Sequence, residues 1–288
     1  MRLYPFVMNK IIDGKKIAEK IKDNLVQEIV KLDPLRPNLA IILVGDRKDS
    51  ELYVNLKEKE AKKVGIDTHV YRCEEDVSEE EILAMIEHLN NDDLIDAILV
   101  QLPLPDKFDT DKIIKTINPD KDVDRFHPDN LKVLMETCSH QHVMPPVFEV
   151  VLEVLKDVDF DISGKQVCIV ANSKIFGNSL AKVLECQKAE VEIAEADEKK
   201  LKDKTSQADV LITAVGKPEF IGEEMVKEGA VVIDIGITKQ DNKVRGDVCF
   251  DEVYKKADFI TPVPGGVGPL TIAMLFKNTL ALYNKRRK

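Results

Sequence analysis

The sequence has few cysteines, no long apolar run and more acidic than basic residues, and each shortage excludes a class of protein. Its five cysteines are scattered and never form a Cys-x-x-Cys pair, so the sequence predicts reduced thiols rather than a disulfide framework. It contains no run of about 18 apolar residues, and its first residues lack the apolar stretch of a signal peptide. A net charge of -10 argues against a nucleic-acid-binding surface. We therefore expect a cytoplasmic protein without nucleic-acid or membrane partners.

Helix-period and strand-period segments alternate from one end of the chain to the other. This alternation predicts an α/β fold built on parallel sheets. Residues 39–45 and 97–105 are predicted to be buried strands, because they are nearly continuous apolar runs. Ser78 and Glu81 have the spacing of a capping box, which predicts a helix beginning there.

The chain is predicted to form two domains, with the crossing near residues 145 and 146, where periodicity fades and prolines collect. Residues 146–268 alternate four strands with helical segments, which predicts a Rossmann-like dinucleotide-binding domain. The last helix, predicted over 269–287, is long enough to leave this domain. We therefore assign residues 1–145 and 269–288 to the first domain and 146–268 to the second.

One lysine lies on the wrong side of the helix predicted over residues 50–65, for which Ser50 is the expected N-cap. At about 100° per residue, one arc of this helix is apolar and carries Tyr53, Val54, Leu56, Ala61 and Val64. Lys57 lies inside that arc, one turn after Tyr53, and Glu60 lies there too. Lys57 is thus either half of an ion pair or a functional group.

Residues 167–184 have the order strand, turn, helix, in which a Rossmann domain binds a pyrophosphate at the helix N-terminus. The turn contains only one glycine, Gly177, so it fails the G-x-G-x-x-G fingerprint, and an ordinary α/β unit remains the alternative. At the end of the following strand, Glu195 or Asp197 would suit ribose hydroxyls and repel a 2′-phosphate. Either could equally be a surface carboxylate.

Other polar or glycine-rich segments are candidates for a binding site. Gln101 follows a predicted strand, and Asp122 and Asp124 follow a helix, where they would face a ligand crevice or simply form turns. Residues 261–269 contain three prolines and three glycines, which predicts a fixed loop. Residues 138–142 read Cys-x-His-x-His but miss the usual zinc spacings, so we predict no metal.

Taken together and in order, several segments resemble the bifunctional methylenetetrahydrofolate dehydrogenase/methenyltetrahydrofolate cyclohydrolase family over nearly the whole chain. They are VGDRKDSELYVNLKEKEAKKVGI, VQLPLP, KDVDRFHP, AVGKPEFI, VIDIGI, GDVCF and TPVPGGVGPLT. The resemblance implies hydride transfer from 5,10-methylenetetrahydrofolate to a nicotinamide, followed by hydrolysis of the methenyl product to 10-formyltetrahydrofolate. It also implies a homodimer that serves one-carbon metabolism, including purine biosynthesis.

The resemblance assigns roles residue by residue. Lys57 would be the catalytic proton-transfer group in a cleft between the domains, Gln101 would position its amine, and Tyr53 would pack on the folate. Asp124 would hold the pterin, and the residues expected to contact the folate path are Pro264, Gly265, Gly266 and Val267. The cofactor-binding residues would be Asn172, Ser173, Ile175, Gly177, Glu195, Gly216, Gly236 and Ile237.

The chain departs from the family pattern mainly on the cofactor side. The family's phosphate turn reads G-R-S-x-I-V-G-x-P, but Ala171, Asn172 and Ser179 replace its first glycine, arginine and proline. Glu195 lies in the segment where the family has C-H-S. The resemblance thus implies NADP, whereas Asn172 and Glu195 favour NAD or an impaired dehydrogenase. The alternatives are a cyclohydrolase without useful dehydrogenase activity, a non-catalytic folate or dinucleotide binder, and, more distantly, an amino-acid or hydroxy-acid dehydrogenase.

Two further departures lie near the predicted domain crossing. Arg125 replaces the glycine of the family's K-D-V-D-G, and Phe148 replaces the glycine of P-C-T-P-x-G, where Pro145 is also found. Both large side chains are candidates to reshape the folate pocket.

Overall fold

The computed structural model describes residues 10–138, 143–240 and 243–287, which divide into two compact units. The N-terminal unit comprises Ala18–Pro146 and the chain from Ile272 onward. The C-terminal unit comprises Val147–Thr271 and the described segment that ends at Ile17. The first and last long helices therefore each cross from one unit to the other.

The N-terminal unit is built on a three-stranded parallel sheet with the order β2-β1-β3. The sheet strands are β1 (Asn38–Val44), β2 (Asp67–Cys73) and β3 (Ala97–Val100). The helices that accompany them are α1 (Gly14–Ile29), α2 (Lys48–Val64), α3 (Glu79–Asn91), α4 (Thr110–Thr116), α5 (Pro128–Glu136) and, at the end of the chain, α10 (Val267–Arg286). The sequence-based reading missed β2.

Both faces of this sheet are covered, which is why its central strand is an uninterrupted apolar run. Leu39, Ile41 and Leu43 pack with residues of α1, α2 and α10. Ala40 and Ile42 point the other way and pack with residues of α3 and α4. The alternation fixes the register of β1 and places the carboxyl ends of β1 and β3 side by side.

The C-terminal unit contains a five-stranded parallel sheet with the order β10-β7-β6-β4-β5. Its strands are β4 (Gln166–Ala171), β5 (Glu190–Ala194), β6 (Val210–Ala214), β7 (Val231–Asp234) and β10 (Phe259–Ile260), and a separate antiparallel pair is β8 (Thr238–Gln240) with β9 (Lys243–Arg245). Its helices are α6 (Pro146–Asp157), α7 (Lys174–Glu185), α8 (Leu201–Thr205) and α9 (Phe250–Lys256). The predicted α/β class with parallel sheets is confirmed.

Local details of two predicted elements, the helix α2 and the strand β3, differ from the structure. The helix α2 begins at Lys48 with Arg47 as its N-cap, so Ser50 is buried inside the helix and the predicted cap is wrong. Leu56 is 42% exposed and is not part of the buried face. The strand β3 stops at Val100, since Pro103 and Pro105 have no N–H with which to continue the ladder. The capping box of Ser78 and Glu81 is confirmed.

The sequence composition predicted reduced thiols and no membrane-spanning segment, and the structure can be compared with both predictions. Cys73, Cys168 and Cys249 are free thiols, but Cys138 and Cys186 are disulfide-bonded, so the prediction of five reduced thiols is wrong for two of them. Within the described part of the chain, no helix is both long and apolar enough to cross a membrane. The Cys-x-His-x-His segment lies outside the described residues from Ser139 to His142.

Candidate functional site

Lys57 on α2 is held by a hydrogen bond from its Nζ to Oε1 of Gln101, at 2.7 Å. Gln101 directly follows β3, and its backbone N–H donates to the carbonyl of Ile42 at 2.9 Å. The side-chain Nε2 of Gln101 donates to the carbonyl of Leu102 at 2.6 Å, which orients the amide so that its oxygen faces the lysine. The amine is therefore positioned by a neutral acceptor rather than a charged one.

Asp124 reaches the same site because the chain before it pairs with β3. The N–H of Ile98 donates to Lys121 at 2.7 Å, and Val123 donates back to Ile98 at 3.3 Å. The sequence left open whether Asp122 faces a ligand or forms a turn, and the structure shows the second. Its carboxylate accepts hydrogen bonds from the backbone N–H of His127 at 2.8 Å and from the side-chain amide of Asn130 at 3.0 Å. Asp124 instead interacts electrostatically with Lys57.

Burial shifts the protonation equilibria of this site in the direction that proton transfer requires. It lowers the pKa of Lys57, an effect that the negative charge of Asp124 partly offsets. Burial raises the pKa of Asp124 to about 6. The positive charge of Lys57 partly offsets this rise, and the negative charge of Asp122 adds to it. The pKa of Tyr53 is raised, first by burial and then by Asp49. An amine whose pKa is lowered accepts and returns a proton more readily at physiological pH than an ordinary lysine does.

The alternative that Lys57 is merely half of an ion pair with Glu60 does not hold. Glu60 binds Lys22 at 2.5 Å and Lys63 at 2.6 Å. Both partners lower the pKa of Glu60 against the effect of burial. Tyr53, Lys57, Gln101 and Asp124 all belong to the N-terminal unit, and the structure brings Lys57, Gln101 and Asp124 together.

The predicted phosphate turn lies in the C-terminal unit, between β4 and α7. Ser173 is the N-cap of α7, and its Oγ accepts the backbone N–H of Phe176 at 3.3 Å. Gly177 is buried, and a Cβ added there would be 3.2 Å from Ile193 on β5, so the helix packs on the sheet as closely as in a dinucleotide-binding unit. Ile175 is 55% exposed beside the turn.

Two of the predicted cofactor-binding residues, Asn172 and Glu195, already have partners within the protein. The Nδ2 of Asn172 donates to the carbonyl of Val215 at 2.8 Å, so this amide is committed to the backbone after β6. The carboxylate of Glu195 lies 3.7 Å from Nζ of Lys174 in an exposed pair. The first residue of α7 thus carries a basic group that pairs with the acidic group after β5, and position 172 is an asparagine rather than an arginine.

The remaining predicted residues follow the carboxyl ends of the strands or precede α10. Gly216 has φ 68°, a left-handed conformation that favours glycine, and a Cβ there would meet no atom within 4 Å. Gly266 donates its N–H to Pro262 at 2.8 Å, and a Cβ on it would be 2.7 Å from that carbonyl oxygen. Residues 264–267 therefore form the fixed, closely packed loop that the sequence predicts.

Comparison with known proteins decides the family. The model of the tetrahydrofolate dehydrogenase/cyclohydrolase catalytic domain matches residues 12–124, and that of the family's NAD(P)-binding domain matches residues 145–287. The chain belongs to the tetrahydrofolate dehydrogenase/cyclohydrolase family. The family predicted from the sequence is confirmed, as is its classification as a dehydrogenase and cyclohydrolase enzyme.

Relatives and solved structures of this family match nearly the whole chain. The bifunctional protein FolD of Nautilia profundicola is 45% identical over 273 residues, which are 94% of this chain and 95% of the relative. The FolD crystal structure from Campylobacter jejuni is 41% identical, with a TM-score of 0.91 over 96% of this chain and 99% of that one. The Trypanosoma brucei structure, solved with NADP cofactor and inhibitor, is 34% identical, with a TM-score of 0.92 over 96% and 98%.

The two departures from the family pattern near the domain crossing have structural explanations. Arg125 adopts φ 62°, and its side chain donates to the carbonyl of Pro119 at 2.6 Å and to that of Val143 at 3.3 Å. These bonds offset the strain of a left-handed non-glycine residue, which is of order 1 kcal/mol. Phe148 is fully buried and packs edge-to-face on Phe176 of the phosphate turn, with ring centroids 5.3 Å apart.

Two buried residues of this family member, Asp234 and Asp247, escaped the sequence-based reading. Asp234 ends β7, and its carboxylate accepts hydrogen bonds from Gly236, Asp247 and Val248 at 3.0–3.1 Å. Asp247 accepts the backbone N–H of Val215 at 2.7 Å and that of Lys217 at 2.9 Å. Both lie in segments that carry the family resemblance, VIDIGI and GDVCF, each close to a glycine, but neither was assigned a role from the sequence.

Proposed function

We propose that this enzyme oxidises 5,10-methylenetetrahydrofolate with NAD and hydrolyses the methenyl product to 10-formyltetrahydrofolate, using Lys57 as the proton-transfer group. The observation that carries the hydrolytic half is the 2.7 Å bond between a partly buried lysine amine and a neutral, oriented glutamine. The proposed functional domains keep the extents predicted above, residues 1–145 with 269–288 and residues 146–268, whereas the compact units of the structure change over after Ile17, Pro146 and Thr271. A spectrophotometric assay that follows hydrolysis and oxidation separately tests it, and lack of turnover in both would refute it.

In the proposed hydrolysis, the neutral amine of Lys57 accepts a proton from the water that attacks the methenyl carbon. As the bond from that carbon to N5 breaks, the ammonium returns its proton to N5, and the remaining hydroxyl proton leaves to solvent. Gln101 holds the amine in place without adding a charge that would raise its pKa. Tyr53 packs on the folate and Asp124 binds the pterin, with the loop 264–267 as a second folate contact.

The pH profile of cyclohydrolase kcat tests the charge balance around Lys57. We expect Gln101→Glu to move the rising limb to higher pH, since a carboxylate beside Nζ stabilises the ammonium. Asp124→Asn should move it to lower pH, because the attraction that raises the pKa of Lys57 is removed. Profiles measured at saturating folate that shift in the same direction, or not at all, would contradict the assignment.

On the cofactor side, the residues proposed to hold the dinucleotide are Asn172, Ser173, Ile175, Gly177, Glu195, Gly216, Gly236 and Ile237. When bound, the nicotinamide accepts the hydride that leaves the methylene carbon. The close packing at Gly177 and the open space beside Gly216 suit such a ligand. NAD is proposed over NADP because the carboxylate of Glu195 would repel a 2′-phosphate, although the Trypanosoma brucei relative was solved with NADP.

Glu195→Ser should raise the preference for NADP over NAD, measured as the ratio of the two kcat/KM values, by about tenfold. Removal of the carboxylate ends the repulsion and releases Lys174, whose Nζ lies 3.7 Å from Glu195. Adding Lys174→Gln to the Glu195→Ser variant should reverse most of this gain in NADP preference.

Glu192 provides a matched control for this test. It lies on β5, which Glu195 directly follows, is equally exposed at 52%, and pairs with Lys204 rather than with Lys174. Glu192→Ser should leave the preference unchanged. If Glu192→Ser and Glu195→Ser act alike, or if the wild type already prefers NADP, then Glu195 does not select the cofactor.

A second candidate function is a cyclohydrolase with an impaired dehydrogenase. It is favoured by one observation, the commitment of the Asn172 amide to the carbonyl of Val215. A non-catalytic folate or dinucleotide binder has less support, because binding alone does not require the Lys57–Gln101 pair. We further propose, on family resemblance, a cytoplasmic homodimer that supplies purine biosynthesis.

A further inference from the structure

Asp234 and Asp247 interlock the loops that follow β6 and β7. Asp247 accepts N–H groups from the turn after β6, at Val215 and Lys217. Asp234 accepts the N–H of Gly236, after β7, and those of Asp247 and Val248. The two aspartates therefore fix the backbone at the carboxyl ends of neighbouring strands, the edge at which parallel α/β sheets bind ligands.

Each aspartate occupies the space that a side chain on the other's neighbouring glycine would need. A Cβ on Gly236 would lie 2.1–2.3 Å from the carboxyl group of Asp247. A Cβ on Gly246 would lie 2.0 Å from Oδ2 of Asp234. The segments DIG and RGD are thus two halves of one packed unit, which explains why each has a glycine beside its acid.

This unit extends into strand β6 and to the carboxyl end of β4. The hydroxyl of Thr213 on β6 donates to Asp234 at 3.2 Å, and both groups are buried. The side chain of Asn172, after β4, donates to the carbonyl of Val215. The backbone N–H of Val215 in turn donates to the carboxylate of Asp247. A continuous chain of hydrogen bonds therefore joins the carboxyl ends of β4, β6 and β7, which are adjacent in the sheet.

We infer that Asp234 and Asp247 are positioning residues for the dehydrogenase reaction, which hold the backbone around Gly216 and Gly236 in the geometry for hydride transfer. Burying two carboxylates side by side costs free energy that a neutral turn would avoid. In return, each carboxylate fixes several backbone donors, as preorganised sites require. This inference rests on the proposed function, because it assigns those loops to the nicotinamide.

The test compares Asp247→Asn with the wild type in both reactions of the full-length enzyme. An amide turns an N–H₂ toward one of the backbone donors, so the loop shifts, and misplacement of about 1 Å can cost about a hundredfold in rate. We expect dehydrogenase kcat to fall about a hundredfold, with little change in KM for the dinucleotide and with cyclohydrolase kcat retained. Hydrogen exchange of residues 215–217 should accelerate in the same variant.

Asp209→Asn is the matched control, because Asp209 accepts the backbone N–H of Gln166 at 3.0 Å near the opposite end of the same sheet. It should change neither the dehydrogenase nor exchange at 215–217. If Asp247→Asn does not fold, Thr213→Val, which removes one donor from Asp234, should lower dehydrogenase kcat by a few fold and spare the cyclohydrolase.

The outcomes separate the inference from the proposed function. Equal loss of both activities, or faster exchange without selective loss of the dehydrogenase, would overturn the inference in favour of a purely structural role. Unchanged exchange would also overturn it. A wild type without dehydrogenase turnover would refute only the proposed function. At saturating NAD, residues 215–217 should then be protected from exchange in the wild type but not in Asp247→Asn, and equal protection in both would overturn the inference.

Discussion

Replacement of Lys57 by methionine is expected to reduce cyclohydrolase kcat by about a thousandfold, within the range of general acid–base catalysis. Methionine keeps much of the length and apolar volume of the side chain but cannot accept or return a proton. The substitution leaves Oε1 of Gln101 without its donor and Asp124 without the attraction of Lys57, so we expect the variant to lose about 1–3 kcal/mol in the free energy of unfolding but still to fold. The effect is measured by monitoring the hydrolysis of methenyltetrahydrofolate through its change in absorbance.

Lys59→Met is the matched control, because Lys59 lies on the exposed side of the same helix. It should hydrolyse the methenyl substrate at the wild-type rate. Full cyclohydrolase activity in Lys57→Met would contradict the assignment of Lys57 as the proton-transfer group. Loss of activity in both variants would instead indicate that α2 as a whole is damaged. A Lys57→Met enzyme that has lost hydrolysis but still binds folate would separate proton transfer from binding.

The substitution Gly14→Ala should have the largest effect on stability. A Cβ at this position, where α1 begins, would lie 1.8 Å from the carbonyl oxygen of Gly266 and 2.9 Å from that of Gly265. Only backbone movement can relieve such a clash, so we expect a loss of about 3 kcal/mol in the free energy of unfolding. Because the displaced loop is the proposed folate contact, KM for folate should rise as well.

Gly268→Ala controls for the added methyl group, since the nearest atom to its Cβ is 4.0 Å away, in Ile237. In helix α10, alanine should be neutral or slightly stabilising. Thermal unfolding of the two variants measures the difference. A Gly14→Ala protein with a wild-type Tm would show that the loop accommodates the methyl group without strain.

The sequence alone was sufficient for features that depend on local pattern. The buried strands of both sheets follow from apolar runs, and the capping box follows from the spacing of Ser78 and Glu81, because these signals involve neighbouring residues only. The Lys57 question could also be posed from the sequence, since a charged residue within an apolar arc is visible on a helical wheel. The resemblance of ordered motifs then supplied the family.

Local pattern failed where a residue's partner lies far along the chain. Ser50 has the chemistry of an N-cap, but α2 begins two residues earlier, and Ser50 is buried within the helix. Asp122 and Asp124 look equivalent in sequence, yet one binds backbone and side-chain donors nearby and the other interacts with Lys57, 67 positions earlier. The choice depends on the pairing of the preceding segment with Ile98.

The sequence by itself determined the alternation of helices and strands, the buried faces of the sheets and the chemical identity of the candidate acid–base group. Only the tertiary structure decided how the Gln101 amide is oriented toward Lys57, that the Asn172 amide binds a backbone carbonyl, and that Asp234 and Asp247 each fill the space beside the other's glycine. The physical reason is that hydrogen bonds and steric exclusion act over a few ångströms in space, between groups that the sequence separates by tens of residues.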